Sequence, residues 1–521
     1  MKGRVLVAVF LASVLAIVLR CPRLSERPMH NDEGVNAIKF RGLWEHNSYK
    51  YDPTEFHGPS LYYCTLALER LTAAPHFEQF TEARLRLVPV LFGVGLILLI
   101  PLLVDGIGKT ACISAALLTA VSPAFVFYSR DYIHEMLLVF FTFLAIVSGW
   151  RYWRTRKPAW ALLSGAAIGL MWATKETFII TIAAAGFALA INHFWNRTLD
   201  ASGLPIHAPR LHLLHLAAAF GICLLVWLLM FSSFFTNSAG LSDSFRTYSS
   251  WFHRAAGDSA HIHAWHFYFQ RLLLFHVHNG PIWSEGLIFL LALIGVIAAF
   301  ARKGLSDANA SFVRFLTLYT FALTAAYCLI SYKTPWCLLN FWHGMILLAG
   351  VGAAVLIHAA RFQWAKSAAT VLLLAGAAQL AAQAWQASVT KTPAWWAVDR
   401  RNPYVYAQTS ADILGLVRRI ESLAEVSPAG HAMQINVVAP EAEYWPLPWY
   451  FRKFEHVGWW DKLPEDPYAP VMVVSAKLHA GLDEKKTHVM IGYFELRPGS
   501  FFELYVELPL WRAYLEKHPA E

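Results

Sequence analysis

The chain has 521 residues, of which 57% are hydrophobic and 15% are charged. Soluble globular proteins carry roughly 25% charged residues, so this composition excludes an ordinary soluble enzyme and predicts a polytopic membrane protein. The formal net charge of +8 is typical of basic cytoplasmic loops in such proteins and does not indicate nucleic-acid binding. The six cysteines have no metal-ligand spacing, and a disulfide between Cys21 and Cys64 is left open.

Apolar runs of about 17–25 residues have the length needed to cross a bilayer as a helix. We predict about eleven such spans, near residues 4–20, 86–105, 110–128, 134–151, 159–174, 177–195, 212–235, 282–301, 312–331, 336–358 and 368–387. No small-residue cleavage site follows the first run, so we expect it to be a retained span and not a signal peptide.

Basic residues in the short loops predict how the chain is oriented in the membrane. Clusters of Lys and Arg occur at 151–157, 302–303 and 361–366, after the fourth, eighth and tenth spans. All three lie on one side if the N-terminus is cytoplasmic. We therefore expect a multi-pass protein of the inner or plasma membrane. Its predicted extracytoplasmic parts are the first loop (21–85), the loop 236–281 and the tail (388–521).

An acidic pair, Asp32 and Glu33, lies in the segment 27–34 shortly after the first span. Charged groups beside a membrane are costly to desolvate, so the pair indicates a site. Repulsion between adjacent carboxylates raises the pKa of one of them, which suits a general base or a sugar ligand. The alternative is a polar loop in which Asp32 caps the helix that follows. Two amphipathic segments of the first loop, 35–44 and 61–71, are predicted to be helices along the membrane surface.

Charged side chains recur in the turns predicted to be on the outer side. The acids of the turn 128–135 are Asp131 and Glu135. The cations of the outer turns suit a lipid phosphate, and they are Arg84, Arg86, Arg130, Lys175 and Lys333. The alternatives are interfacial salt bridges, a polar turn around Lys175, and lipid-headgroup anchoring by Arg84 and Arg86.

Histidines and aromatic residues are concentrated in the loop 236–281. His261 and His263 would share a face if they lie on a strand, and could then hold a metal. We favour the simpler interpretation that they face substrate or the interface, together with His266 and with His57 of the first loop. Beyond residue 387 the pattern predicts an amphipathic helix over 412–426 and strands over 434–439, 471–475, 488–494 and 501–507. This alternation of helix and strand predicts a small α/β domain of about 130 residues. That tail carries the 444–450 motif, Tyr-Trp-Pro-Leu-Pro-Trp-Tyr.

The order of these motifs resembles that of the GT-C membrane glycosyltransferases. The resemblance is carried by the Asp32-Glu33 pair, the turn 128–135, Thr-Lys-Glu at 174–176 and Tyr-Lys-Thr-Pro-Trp at 332–336. Within that superfamily the chain resembles the protein O-mannosyltransferase and aminoarabinose-transferase class. More narrowly, it resembles a prokaryotic group loosely labelled flippase-activity-associated, in which the 444–450 motif recurs. The resemblance implies a GT-C transmembrane domain over residues 1–387 with an extracytoplasmic α/β domain over 388–521.

The resemblance also implies the chemistry. The donor would be a polyprenyl-phosphate-linked sugar used on the outer face, and the acceptor a glycan, lipid or protein of the cell envelope. The catalytic base would be Asp32 with Glu33 beside it, and the acid of the second outer loop would be Asp131 or Glu135. No metal is required in principle, although a divalent ion stays open. The rival functions are a flippase, or an accessory of one, for lipid-linked sugars, and a scaffold whose outer domain binds partners. Apolar segments with few charges at their centres favour transfer over transport.

Overall fold

The structure is a computed structural model that describes residues 2–54, 57–72, 76–198, 212–256 and 261–519. The loops 21–85 and 236–281 are thus described except for residues 55–56, 73–75 and 257–260. The chain divides into two compact units. The helical unit comprises residues 1–24, 46–71 and 86–406, and the second unit comprises 25–45, 72–85 and 407–521. The functional domain boundary at residue 388 stays a prediction.

Helices make up most of the chain as far as residue 388. In order they are α1 (Lys2–Arg20), α2 (Asn31–His46), α3 (Ser60–Thr72), α4 (Glu82–Leu99), α5 (Val104–Ile107), α6 (Lys109–Val121), α7 (Pro123–Tyr128), α8 (Glu135–Thr155), α9 (Pro158–Trp172), α10 (Phe178–Thr198), α11 (Leu213–Phe231), α12 (Ala239–Ala256), α13 (Phe267–Leu273), α14 (Gly286–Ala301), α15 (Ala310–Leu329), α16 (Leu339–Ala359) and α17 (Gln363–Ser388).

Within the described residues, 8 helices are long and apolar enough to cross a membrane. Three shorter apolar helices, α6, α9 and α14, correspond to the remaining predicted spans. The positions of the apolar runs are therefore confirmed as helices, whereas the number of spans and the orientation of the termini stay predictions. Cys21 and Cys64 are free thiols, so the disulfide left open by the sequence is not formed.

A fully buried carboxylate, Glu285, joins separate helices of the helical unit. Its oxygens accept hydrogen bonds from the Ser122 hydroxyl (2.5 Å), the Ala124 backbone N–H (2.9 Å), the Trp342 indole N–H (3.0 Å) and the Tyr404 hydroxyl (2.8 Å). A buried carboxylate needs such donors because desolvation is costly. The network fixes the segment around residue 404 against the helices.

The second unit contains a mixed five-stranded sheet. Its strands are β1 (Ile435–Val438), β2 (Val457–Trp460), β3 (Val471–Ser475), β4 (His488–Arg497) and β5 (Ser500–Glu507), and its further helices are α18 (Ile413–Ala424), α19 (Leu447–Tyr450) and α20 (Leu508–Lys517). The strand order is β2-β1-β3-β5-β4. β1 pairs in parallel with β2 and β3, while β5 pairs antiparallel with β3 and β4.

The predicted α/β character of the tail is confirmed. The amphipathic helix expected near 412–426 is α18, whose buried residues Ile413, Leu416, Ile420 and Leu423 follow helical spacing. The strands expected at 434–439, 471–475, 488–494 and 501–507 correspond to β1, β3, β4 and β5. The edge strand β2 was not predicted, because it is short and less buried than β1 and so lacks a clear apolar pattern.

Candidate functional site

The acidic pair of the first loop, Asp32 and Glu33, lies in the second unit, and its two members have different environments. The Glu33 side chain is 0% exposed and lies 4.0 Å from Arg27, whereas the Asp32 side chain is 44% exposed. A Glu33 oxygen also accepts the backbone N–H of His30 at 2.9 Å, three residues earlier. This is the reciprocal bond of a capping box, so the capping function belongs to Glu33 and not to Asp32.

Asp32 keeps most of its hydrogen-bonding capacity. Its carboxylate accepts a bond from Asn31 at 3.2 Å and lies 3.9 Å from the His30 ring. Within the described part of the chain, neither Lys nor Arg forms a salt bridge with it. An exposed carboxylate with spare lone pairs can accept a proton from a substrate, because nothing has to be displaced first. The role of Asp32 as a base stays a prediction.

The predicted arginines occupy separate places. Arg84, in the second unit, is half-buried and stacks on Phe80 with 5.4 Å between the guanidinium and the ring centre. Arg86 and Arg130 are buried in the helical unit, where they donate to the backbone carbonyls of Leu24 (2.6 Å) and Arg20 (2.5 Å). These bonds tie the end of α1 to neighbouring helices. Asp131 is buried in the same turn as Arg130.

Lys175 and Glu135 form a buried ion pair. Glu135 is the first residue of α8, and Lys175 lies in the turn that follows α9. Their contact therefore joins these two places in the helical unit. Coulombic attraction in a site with little water makes such a pair hard to separate, because either partner alone would be an uncompensated buried charge. Lys175 is therefore already neutralised, although it was predicted to bind a lipid phosphate.

His57 and Glu176 form a second contact between loops. The His57 Nδ1 lies 2.9 Å from a Glu176 oxygen, and the other oxygen of Glu176 accepts the Tyr51 hydroxyl at 3.2 Å. Burial raises the pKa of Glu176, but the His57 imidazole, a backbone hydrogen bond and Lys175 together outweigh it and hold that pKa below its usual value. The His57 ring also stacks on Trp251, with 5.2 Å between ring centres.

The backbone beside His57 explains why this loop has its conformation. The Gly58 N–H donates to the Thr174 carbonyl at 3.1 Å, and a Cβ on Gly58 would lie 2.2 Å from the Ala173 carbonyl oxygen. Only glycine permits this approach of two backbones. The close pairing holds His57 against the Lys175-Glu176 turn.

Two histidines of the loop 236–281, His261 and His263, lie on a short extended segment. Ile262 forms an antiparallel bridge with Tyr332, which places His261 and His263 on the same face. Both rings reach the Tyr406 hydroxyl, at 2.8 Å from His261 Nδ1 and 3.0 Å from His263 Nε2. The extended segment is thus the case in which the two histidines share a face, and a phenol hydroxyl lies between them. Their function stays a prediction.

The histidine pair does not extend to a full set of metal ligands. Among the described residues, no group of three or more His, Cys, Asp or Glu is placed to hold a metal ion. His266 does not join the other two histidines at Tyr406; it is exposed, with its ring 5.6 Å from Trp265. Whether the reaction needs a metal stays a prediction.

Two cations lie beside this histidine pair. The buried Lys333 ammonium donates to the backbone carbonyls of His263 (2.9 Å) and Ile330 (2.5 Å). The Arg271 guanidinium donates to the Pro403 carbonyl at 2.5 Å and lies 5.8 Å from the centre of the Tyr406 ring. Carbonyls do not cancel charge, and neither cation forms a salt bridge with a carboxylate in the described residues.

We call His261, His263, Arg271, Lys333 and Tyr406 the basic cluster. Burial lowers the pKa of His263 and that of Lys333, and Arg271, His261 and Lys333 add to the effect on His263 by charge repulsion. An anion placed here would reverse both effects. The cluster thus has the charge and the donors needed to bind a phosphate.

Sequence reasoning singled out His261, His263 and Lys333 but missed Arg271 and Tyr406. Arg271 had a detectable signal, since it lies four residues after Phe267 and stacks on that ring at 4.5 Å. Tyr406 had none, because its partners are about 140 residues earlier in the chain, 145 and 143 positions away.

Residues 74–235 match a family model described as dolichyl-phosphate-mannose-protein mannosyltransferase. The whole chain is similar in fold to ArnT from Cupriavidus metallidurans bound to undecaprenyl phosphate, at 15% identity and a TM-score of 0.60, covering 97% of this chain and 98% of that one.

It is also similar to the Archaeoglobus fulgidus oligosaccharyltransferase tethered with an acceptor peptide, at 14% identity and a TM-score of 0.54, covering 88% of this chain and 64% of that one. A third similarity is to the arabinofuranosyltransferase AftD from Mycobacteria, at 12% identity and a TM-score of 0.50, covering 97% and 40%. The search among curated proteins gave no match. The predicted GT-C fold is thereby confirmed.

Proposed function

We propose that this chain, which has the fold of the GT-C membrane glycosyltransferases, transfers a sugar from a polyprenyl-phosphate carrier to an extracytoplasmic acceptor hydroxyl. The observation that carries the proposal is the basic cluster, in which Lys333 and Arg271 have carbonyl and aromatic neighbours but form no salt bridge with an acid among the described residues. The similar ArnT structure holds undecaprenyl phosphate, which supports a lipid phosphate as the ligand here.

The proposed reaction exchanges one bond at the anomeric carbon for another. The acceptor oxygen forms a bond to that carbon while the bond between the carbon and the phosphate oxygen breaks. The bonding pair leaves with the polyprenyl phosphate, and its added negative charge is stabilised by Lys333 and Arg271. The acceptor proton passes to a carboxylate, for which Asp32 is the candidate. Attack opposite the leaving phosphate inverts the anomeric configuration.

The side chains around His57 suit the sugar end of such a donor. The ring centres of Trp251 and Tyr332 are 6.4 Å apart, and those of Tyr332 and His261 are 5.0 Å apart. Aromatic faces beside polar groups are typical of sugar-binding surfaces, since a pyranose has both apolar and hydroxyl edges. The acceptor class is a glycan, lipid or protein; the oligosaccharyltransferase bound to an acceptor peptide supports the protein class.

The test is a transfer assay with purified protein in lipid nanodiscs. Synthetic polyprenyl-phosphate sugars and envelope acceptors are supplied, and release of polyprenyl phosphate is measured together with glycosylated product. We expect transfer by the native chain and a loss of about 100-fold or more in Asp32→Asn. The matched control is Asp466→Asn, because Asp466 is an exposed aspartate of the second unit.

Two results would count against the proposal. Full activity in Asp32→Asn removes the proposed base. Vesicles that translocate a fluorescent lipid-linked sugar without releasing polyprenyl phosphate would instead support the flippase function.

A further inference from the structure

The 444–450 motif lies in the second unit, where most of its side chains are buried. In the second unit its residues contact the segment that carries the acidic pair. The Tyr450 hydroxyl accepts the backbone N–H of Met29 at 2.8 Å, and the Thr409 hydroxyl donates to the Met29 carbonyl at 2.6 Å. Both polar groups of a fully buried residue, three positions before Asp32, are thus held by side chains of the tail.

Helix α2 contacts the motif two residues after Asp32. A Cβ on Gly34 would lie 2.6 Å from the Cβ and 3.1 Å from the Cα of Pro446. A methyl group therefore cannot be added without moving the first turn of α2 away from the motif. Gly42, further along the same helix, faces open space, since a Cβ added there would meet no atom within 4 Å.

The motif also holds a cation near Asp32. Arg497, on β4, donates to the Trp445 carbonyl at 2.7 Å. Burial lowers the pKa of Arg497, while attraction by Glu443 and by Asp32 opposes that shift. Arg497 thus contributes positive charge to the surroundings of Asp32 without forming a salt bridge with it.

We propose that the 444–450 motif and Arg497 are positioning groups for Asp32: the motif fixes the segment 27–34, and Arg497 holds the motif through the Trp445 carbonyl. This inference rests on the proposed function, in which Asp32 accepts the proton of the acceptor. The tail domain then has a direct part in transfer, because a base displaced by about 1 Å can lose roughly 100-fold in rate.

The first test compares two glycine substitutions in the same helix. Gly34→Ala is expected to lower kcat by about 10-fold to 100-fold with little change in KM for the lipid-linked donor, whereas Gly42→Ala is expected to behave as the native chain. Tyr450→Phe removes one hydroxyl without adding bulk, and keeps the test valid if Gly34→Ala fails to fold. We expect it to lower kcat less than Gly34→Ala does.

The second test measures how firmly the segment 27–34 is held, without any turnover. Hydrogen exchange of the peptide that contains residues 27–34 is read by mass spectrometry. Arg497→Met removes the bond to the Trp445 carbonyl, so we expect faster exchange in this peptide, and Arg497→Lys should restore slower exchange.

The two hypotheses fail in different ways. If the native chain releases no polyprenyl phosphate, the proposed function is wrong, and hydrogen exchange of residues 27–34 still decides whether Arg497 and the motif fix that segment. If the native chain is active and Asp32→Asn is not, native kcat in Gly34→Ala and Tyr450→Phe would overturn the positioning function of the motif. Unchanged exchange in Arg497→Met would overturn that of the arginine.

Discussion

Two lysines in turns of the helical unit have opposite charge environments. Lys175 is paired with the buried carboxylate of Glu135, whereas Lys333 donates only to backbone carbonyls and lies beside Arg271 across the histidine pair. Both were equally good phosphate ligands by sequence. A buried cation is available to an anionic ligand only when the fold has not already given that cation a carboxylate partner.

The largest effect on stability is expected from breaking the ion pair between Lys175 and Glu135. Lys175→Met leaves the Glu135 carboxylate buried without its partner, which should lower the free energy of unfolding by about 3–5 kcal/mol. Thermal unfolding in detergent measures this loss. The double variant Lys175→Met with Glu135→Leu should recover most of it, and equal stability of the single and double variants would show that the ion pair is unimportant.

Removing the unneutralised cations should affect the donor and not the fold. Lys333→Gln combined with Arg271→Gln is expected to lower kcat/KM for a polyprenyl-phosphate sugar by about 100-fold to 1,000-fold, because the leaving phosphate loses its stabilising charge. The control is Lys303→Gln, an exposed lysine just after α14. Equal kcat/KM in the double variant and the control contradicts the phosphate site.

Tyr406→Phe gives a smaller change within the basic cluster. It removes the hydroxyl that lies between His261 and His263, at a cost of about 1 kcal/mol per lost hydrogen bond. We expect roughly tenfold weaker binding of polyprenyl phosphate and a small fall in the unfolding temperature. Binding is measured by isothermal titration with the lipid phosphate in nanodiscs, and native affinity would exclude a role for the hydroxyl.

The weakest effect concerns acid stability at the His57–Glu176 contact. A carboxyl whose folded pKa is lowered stabilises the protein above its unfolded pKa, and that contribution disappears as the pH falls through the folded pKa. In His57→Gln the carboxyl titrates at higher pH, so we expect acid unfolding to begin at higher pH than in the native chain.

The control for this measurement is an exposed pair of the second unit. His431 and Glu421 lie 2.8 Å apart, with side chains 47% and 31% exposed. Solvent screens such pairs, so His431→Gln should leave the acid unfolding profile unchanged. A matching shift in both variants would mean that the His57 contact has no special importance.

The sequence by itself determined the elements and the location of the polar turns. Long apolar runs give helices because each backbone polar group must be satisfied within the span. The amphipathic spacing of α18 and the short apolar runs of β1 and β3 are local patterns too, so these elements were also predictable. The resemblance, carried by short motifs in order, correctly indicated the GT-C fold.

The tertiary structure decided which charged groups remain available. It buried Glu33 in a cap and left Asp32 exposed, neutralised Lys175 with Glu135, and brought Arg271 and Tyr406 to Lys333. The pairing of Lys175 and the assembly of the basic cluster depend on contacts between residues far apart in the chain. Charge balance is a property of neighbours in space, and no local sequence pattern records it.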